Sequence, residues 1–288
     1  MIRLLLPLVI FVVVTQPVVL SLRRVQPLAS ARASMLILVL GFCTAIPLLI
    51  HLSITWLFGV PDLGWALHRV LLGGQNHAMD RSIFGLVALV FLSLSTFRAL
   101  RALVLERRLR RQSSVGITVV PDKSMYAYAL PGPIPKVVLS EGLICGLSRS
   151  ELNVVLAHEM SHVSNRHDQW LLAGRLCALF NPFLALTMAR LRLSLERIAD
   201  QAAVDRYGDS EHVAHTIAKV ALGQVEGRYA LGIASYGTVE RIKDLSRATT
   251  APHRSASVFV GASISVLSML MIIQWHHVLV AISAACGR

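Results

Sequence analysis

The chain has 288 residues and a mean hydropathy of +0.62, with 55% apolar and only 15% charged residues. Its 28 Lys and Arg stand against 16 Asp and Glu, a formal net charge of +12. Such hydrophobicity excludes a disordered chain, and the scarcity of charge argues against an ordinary soluble domain, where about a quarter of residues are charged. A nucleic-acid binder and a membrane protein with charges flanking its spans remain, and the placement of the charges separates them.

Four apolar stretches each reach the ~20 residues that a spanning helix needs. Residues 4–22 carry no charge, and 35–57 are interrupted only by His51 and a few hydroxyls. Residues 83–105 hold Arg98 and Arg101 near their end, where long basic side chains reach back to an interface. Residues 256–282 are uncharged, with His276 and His277 late in the run. Arg23, Arg24 and Arg32 follow the first stretch with no acid, whereas Asp62 and Asp80 balance Arg69 and Arg81 before the third. Arg107, Arg108, Arg110 and Arg111 then face only Glu106. The positive-inside rule therefore places the first loop and residues 106–255 in the cytosol, and residues 283–288 outside. Ala29-Ser30-Ala31 looks like a signal cleavage site, but Arg23 and Arg24 separate it from the apolar run, so the first span is expected to be retained. Residues 106–255 hold 19 basic and 14 acidic side chains, so more than half of the positive excess lies outside them. No basic stripe interleaved with aromatics occurs there, and no direct nucleic-acid binding is expected.

The expected organisation is three transmembrane helices within 1–105, a cytosolic domain over 106–255, a fourth transmembrane helix over 256–282 and a short extracellular tail. Within the domain, 117–120, 125–130 and 137–139 read as strands, punctuated by Pro121-Asp122, Pro131-Gly132-Pro133 and Pro135. Helices follow. Ser148 and Glu151 form a capping-box pattern that opens one through about Asn165. Asn181-Pro182 opens a long one ending near Gly208. Asp209 or Ser210 caps a third, to about Gly223, and Thr238 a last one, to about Arg247. A small sheet followed by helices is an α+β domain.

The first of these helices contains His158-Glu159-Met160-Ser161-His162, an H-E-x-x-H pattern. Four residues are one helical turn plus about 40°, so both imidazoles share a face. Neutral imidazoles are good Zn²⁺ ligands, and Glu159 reaches the edge of the metal, where it can move a proton from a metal-activated water to a leaving amine. The apolar turn Val154–Ala157 sets the histidines on a buried helix rather than a solvated face. A catalytic zinc needs a third protein ligand and one open position. Glu196, in Glu196-Arg197-Ile198-Ala199-Asp200, is a candidate, with Asp200 one turn later to accept from a ligating histidine; an ordinary acidic face paired to Arg192 or Arg197 is the alternative.

Taken in order, Ala127-Tyr128-Ala129-Leu130-Pro131-Gly132, Val138-Leu139-Ser140-Glu141-Gly142-Leu143, Glu151 through Val163 and Glu196 through Asp200 resemble the membrane-bound gluzincin peptidases. Two branches are similar: the HtpX and CAAX-protease branch, and the BlaR/MecR-type antirepressors. The resemblance implies a zincin-like domain with His158, His162 and Glu196 as zinc ligands, Glu159 as catalytic base and Asp200 behind a ligand. HtpX-like enzymes place two spans between H-E-x-x-H and the third ligand. Here there is one apolar run, 169–189, and a single crossing would put Glu196 across the membrane from His158. That run is therefore expected to be a buried or membrane-lying helix pair, broken at Asn181-Pro182. Three spans, a cytosolic domain and a fourth span resemble the BlaR/MecR layout, and Phe180-Asn181-Pro182 is similar to that branch's aromatic-His-Pro turn, with Asn for His. The resemblance implies a bacterial plasma-membrane endopeptidase acting on cytosolic or membrane proteins, with a winged-helix repressor as partner or its own chain as substrate. The penicillin-binding sensor that those receptors carry after the fourth span is not expected: 283–288 follow it, and the chain has no Ser-x-x-Lys. The other readings are an HtpX-like quality-control protease, a signalling receptor with a silent zinc site, and a small transporter. The complete ligand-plus-base set argues against the silent site, and the 150-residue domain against the transporter.

Ala127, Tyr128 and Ala129 read as an edge strand that takes up an extended substrate by strand addition, or as a plain packing strand. Tyr207, Arg241 and His253 each suit the polarisation of a scissile carbonyl, with no spacing to choose among them. His212 and His215 lack a third metal partner, and His167-Asp168 reads as a cap at a helix junction. Cys43, Cys145, Cys177 and Cys286 form no C-x-x-C, so neither a disulfide frame nor a Cys-rich zinc module is supported.

Overall fold

The computed structural model of the chain describes residues 2–58, 83–111, 116–130, 136–226, 234–246 and 254–286. The helices are α1 (Ile2–Ser21), α2 (Pro27–Phe58), α3 (Ile83–Arg111), α4 (Glu141–Gly146), α5 (Arg149–Ser164), α6 (His167–Phe180), α7 (Ala185–Tyr207), α8 (Ser210–Glu226), α9 (Ala234–Ser246) and α10 (Arg254–Cys286). The strands are β1 (Gly116–Val120), β2 (Ala127–Leu130) and β3 (Lys136–Ser140). Three of the described helical segments are long and apolar enough to cross a membrane: Pro27–Ile54, Ile83–Arg110 and Ser255–His276. The first expected span falls on α1.

The four stretches differ in what they cover. α2 is central: Ile37 and Leu38 are fully buried among Phe11, Val18 and Val19 of α1, Leu191 and Leu195 of α7 and Leu267 of α10. α3 leaves Phe84, Val87, Val90 and Phe97 more than half exposed, and α10 leaves Val258, Met269 and Ile272 so. Apolar faces of that extent on two long helices suit a lipid environment.

Polar contacts then fix the register of the bundle. Pro47 inside α2 has no N–H to offer the Cys43 carbonyl. Trp275 of α10 donates to that oxygen at 3.2 Å, and its neighbour Gln274 donates to the Thr44 carbonyl at 3.0 Å. In an apolar surrounding, neighbouring helices must supply such partners. The Asn181 side chain donates to the Gly41 carbonyl at 3.0 Å and accepts from Phe183 N–H, so one residue caps the turn at Pro182 and pins it to α2. Gly41 permits that approach: a Cβ there would lie 2.6 Å from Leu184 and 2.7 Å from Phe11, both buried. The run 169–189 is thus two helices turning back at Asn181-Pro182, as expected, and both pack on α2.

The sheet has the order β1-β3-β2, with β1 parallel and β2 antiparallel to β3. β3 is buried along most of its length and packs through Val137 and Leu139 on Leu143 and on Val155 of α5. Ser148 accepts from Glu151 N–H and the Glu151 carboxylate accepts from Ser148 N–H, the complete capping box that starts α5. Asp209 accepts from the N–H groups of Glu211 and His212 to start α8 after Gly208, whose φ of 74° ends α7.

Three boundaries differ from expectation. β2 begins at Ala127 rather than 125, because Tyr126 N–H is taken by the Ser140 hydroxyl. α8 runs on to Glu226, past Gly223. Thr238 lies inside α9 instead of capping it. A Thr cap contributes only about 1 kcal/mol, and the packing of α9 on α8 and its ion pairs to α7 override so weak a local signal. Pro131-Gly132-Pro133 and Pro135 lie outside the described residues.

Candidate metal centre

α5 carries His158, Glu159 and His162, and α7 carries Glu196 and Asp200. The two helices pack side by side, with Ala157 and Ala203 buried at their contact. Small side chains there let the polar faces converge. The Nε2 atoms of His158 and His162 lie 3.1 Å apart. Glu196 Oε2 is 3.5 Å from His158 Nε2, and Glu196 Oε1 is 3.7 Å from His162 Nε2. These three form the one His/Cys/Asp/Glu group among the described residues whose donor atoms converge as metal ligands would.

The geometry fits zinc. Tetrahedral bonds of about 2.0–2.1 Å put neighbouring donors about 3.3 Å apart, close to the spacings found. Charge agrees as well. Glu159, Glu196 and Asp200 bring three carboxylates against the single guanidinium of Arg241, a deficit that a dication neutralises.

Each imidazole is also held from behind. His158 Nδ1 lies 3.0 Å from the buried Asp200 carboxylate, off the axis of a straight hydrogen bond. His162 Nδ1 lies 2.7 Å from Nδ1 of His167. Arg241 of α9 closes the far side: its Nε and Nη2 donate to the two oxygens of Asp200 at 2.7 and 2.6 Å, and Nη1 reaches Glu196 at 2.9 Å. Each of its nitrogens therefore faces a carboxylate, which assigns it to holding acids in place rather than to polarising a carbonyl.

The electrostatics follow from burial and these pairs. Burial disfavours charge on His158, but the carboxylates of Asp200 and Glu196 set against its two nitrogens outweigh it and carry the imidazole up to about 9. A metal bound at that ring competes with a proton. His162 is pushed down to about 4 by burial and then by the charge of His158. Burial opposes the ionisation of Glu196 and Asp200, but His158 and Arg241 hold both below the usual carboxylate range. Glu159 moves the other way, raised by burial, which suits a base working near neutrality.

β2 borders the centre. Ser140 N–H donates to the Tyr126 carbonyl, so alternate residues of β2 pair with β3 and the N–H and C=O groups of Ala127 and Ala129 point the other way. The Ala129 N–H meets the Glu159 carboxylate. Ala127, Tyr128 and Ala129 line the same cleft of about 1130 Å³ as His158, Glu159 and His162. The cleft extends to Leu20 of α1 and to Arg23 just beyond it.

All the expected site residues thus meet in one cleft or directly behind it. Of the three carbonyl candidates, Arg241 reaches the site, Tyr207 does not line the cleft, and His253 lies outside the described residues. Arg241 as a partner of Asp200 and Glu196, and His167 as a partner of His162, were missed. The spacing of His167 from His162, five residues, gave no signal, because on a continuous helix it would point away.

Comparison with known proteins agrees with this chemistry. Residues 98–225 match the model of Peptidase family M48, so a domain of that zinc metallopeptidase family is present in the chain. The matched stretch contains His158, Glu159, His162, Glu196 and Asp200 and ends before Arg241. The chain is also similar to the plastoglobule-localized metallopeptidase 48, chloroplastic, of Arabidopsis thaliana, 27% identical over 143 residues, 46% of this chain. It spans 41% of that relative's length. No solved structure matches the chain.

Proposed function

We propose that the protein is a zinc endopeptidase of the bacterial plasma membrane, with four transmembrane helices (α1, α2, α3 and α10) and a catalytic centre facing the cytosol. The observation that carries the chemistry is the convergence of His158, His162 and Glu196 beside Glu159 at donor spacings of 3.1–3.7 Å. The arginines after α1 and at the end of α3 support the cytosolic side.

His158, His162 and Glu196 would hold the ion, which when bound acts as a Lewis acid on the scissile carbonyl and makes a water molecule more acidic. The chain's own groups supply the rest. An extended substrate lies along the open side of β2, its backbone meeting the outward N–H and C=O of Ala127 and the C=O of Ala129. Glu159 takes a proton from the attacking water and delivers it to the leaving amine, which its raised pKa favours. Asp200 keeps the His158 ring oriented, and Arg241 keeps Asp200 and Glu196 ionised and in place.

In the finer reading, the substrates are cytosolic proteins or cytosolic parts of membrane proteins. BlaR/MecR-like cleavage of a winged-helix repressor, or of the enzyme's own chain, rests on the sequence resemblance and layout. The test uses the full chain in detergent with a generic unfolded-protein substrate. Wild type should hold about one zinc, and Glu159→Gln should keep it while losing roughly 10²–10⁴-fold in cleavage rate. Normal cleavage by Glu159→Gln would overturn the mechanism. Comparing proteomes of cells carrying wild type or this variant then identifies the substrate.

A further inference from the structure

His167 is the first residue of α6, 2% exposed, and its ring packs edge-on against that of His162 with centroids 4.8 Å apart. On an unbroken helix a residue five positions on lies about 140° around the axis, turned away from His162. The chain breaks instead. Asn165 N–H closes on the Ser161 carbonyl and Arg166 N–H on that of Val163, and Arg166 has a φ of 51°, the one described non-glycine residue at positive φ. That left-handed residue turns the chain so that α6 starts with His167 facing back at α5. Left-handed backbone is costly for a side-chain-bearing residue, and it persists where surrounding contacts over-determine it.

The contact is between one nitrogen of each ring, Nδ1 to Nδ1 at 2.7 Å, so one ring donates and the other accepts. His162 turns its Nε2 toward His158 and Glu196. We propose that His167 is a positioning residue of the metal centre: its Nδ1 accepts the Nδ1–H of His162 and so fixes the tautomer that leaves His162 Nε2 bare for the ion. Asp200 does the corresponding work behind His158. The first turn of α6 has its own tie, since Asp168 pairs with Arg110 of α3, and no side chain caps its start. His167 is left to His162.

This assignment rests on the metal-centre reading above, and the two fail differently in one experiment. Zn²⁺ affinity is measured on the full chain in detergent by competition with a fluorescent zinc chelator, for wild type, His167→Ala, His167→Asn and His167→Leu. Thermal melting of each metal-free protein accompanies it. Asn places an acceptor oxygen near the position of Nδ1, whereas Leu fills the space without one. His167→Ala and His167→Leu should bind Zn²⁺ about 10–100-fold more weakly, and His167→Asn should recover most of that loss. Metal-free melting should not follow this pattern. Unchanged affinity in Ala and Leu, or Asn as weak as Leu, would overturn the positioning role. Should Ala fail to fold, the Asn and Leu pair alone decides. A wild type that does not hold Zn²⁺ would overturn the metal centre itself, and with it this assignment.

Discussion

Leu195 and Glu196 are consecutive in α7 but belong to two regions held together by different physics. Up to Leu195 the helix is part of the bundle, its leucines buried against α1 and α2. Beyond it, Glu196 and Asp200 face the histidines of α5 and Arg241 of α9. The bundle coheres through apolar burial, with a few hydrogen bonds to carbonyls of α2, among them the Cys43 oxygen that Pro47 leaves without its helical donor. The centre coheres through charge, with carboxylates, imidazoles and a guanidinium packed at contact distance. Apolar packing tolerates exchange of one hydrophobic group for another, whereas a buried charge network loses heavily when one member goes. A single rigid helix shared by both regions places Glu196 against His158 without relying on a loop.

Removing Arg241 tests that contrast most severely. Arg241→Ala takes the guanidinium from the buried Asp200 and its neighbour Glu196 and leaves His158 as the cation beside both, and a loss of about 3–5 kcal/mol is expected in the metal-free protein. Unfolding of the full chain in detergent, with and without Zn²⁺, measures it, and added Zn²⁺ should recover part of the loss by replacing the missing positive charge. A loss below about 1 kcal/mol would mean that ion pairs do not hold the centre.

On the bundle side, Asn181→Ala removes both the tie to the Gly41 carbonyl and the cap of the turn at Pro182. A loss of about 1–3 kcal/mol is expected, with zinc affinity nearly unchanged. If zinc affinity fell as steeply as with Arg241→Ala, the two regions would be one cooperative unit and the contrast would fail.

The smallest effect belongs to Glu151, which starts α5 and accepts from Lys219 of α8. Glu151→Gln should cost about 1 kcal/mol at neutral pH. Lys219, then the Ser148 N–H, pull this carboxyl from its ordinary 4.5 down to about 2. A folded-state pKa below the unfolded one gives stability that is fully present above about 4.5 and is lost as pH falls toward 2. Wild type and variant should therefore differ at pH 7 and converge near pH 2, as thermal melting against pH would record. A constant gap would remove the charge from the account.

Much of this was legible in the residues. The H-E-x-x-H face, the capping box at Ser148 and the stop at Gly208 depend on groups within a few residues of one another, so local geometry fixes them. The paired helices over 169–189 followed from an argument about sides: a single crossing would have separated Glu196 from His158. The strands were found nearly to the residue because alternation and proline punctuation are local signals. Thr238 misled because a lone hydroxyl is a weak stop against the docking of a whole helix.

The sequence by itself thus determined the apolar lengths, the positive flanks, and which residue types are fit to bind a metal and move a proton. The tertiary structure decided that Arg241, 41 residues beyond Asp200, clasps its carboxylate, and that the turn at Arg166 brings His167 back onto His162. The physical reason is one of range. Helical periodicity and capping act over one or two turns, whereas a buried charge is satisfied by whatever element the fold brings within 3 Å, and spacing along the chain carries no trace of that partner.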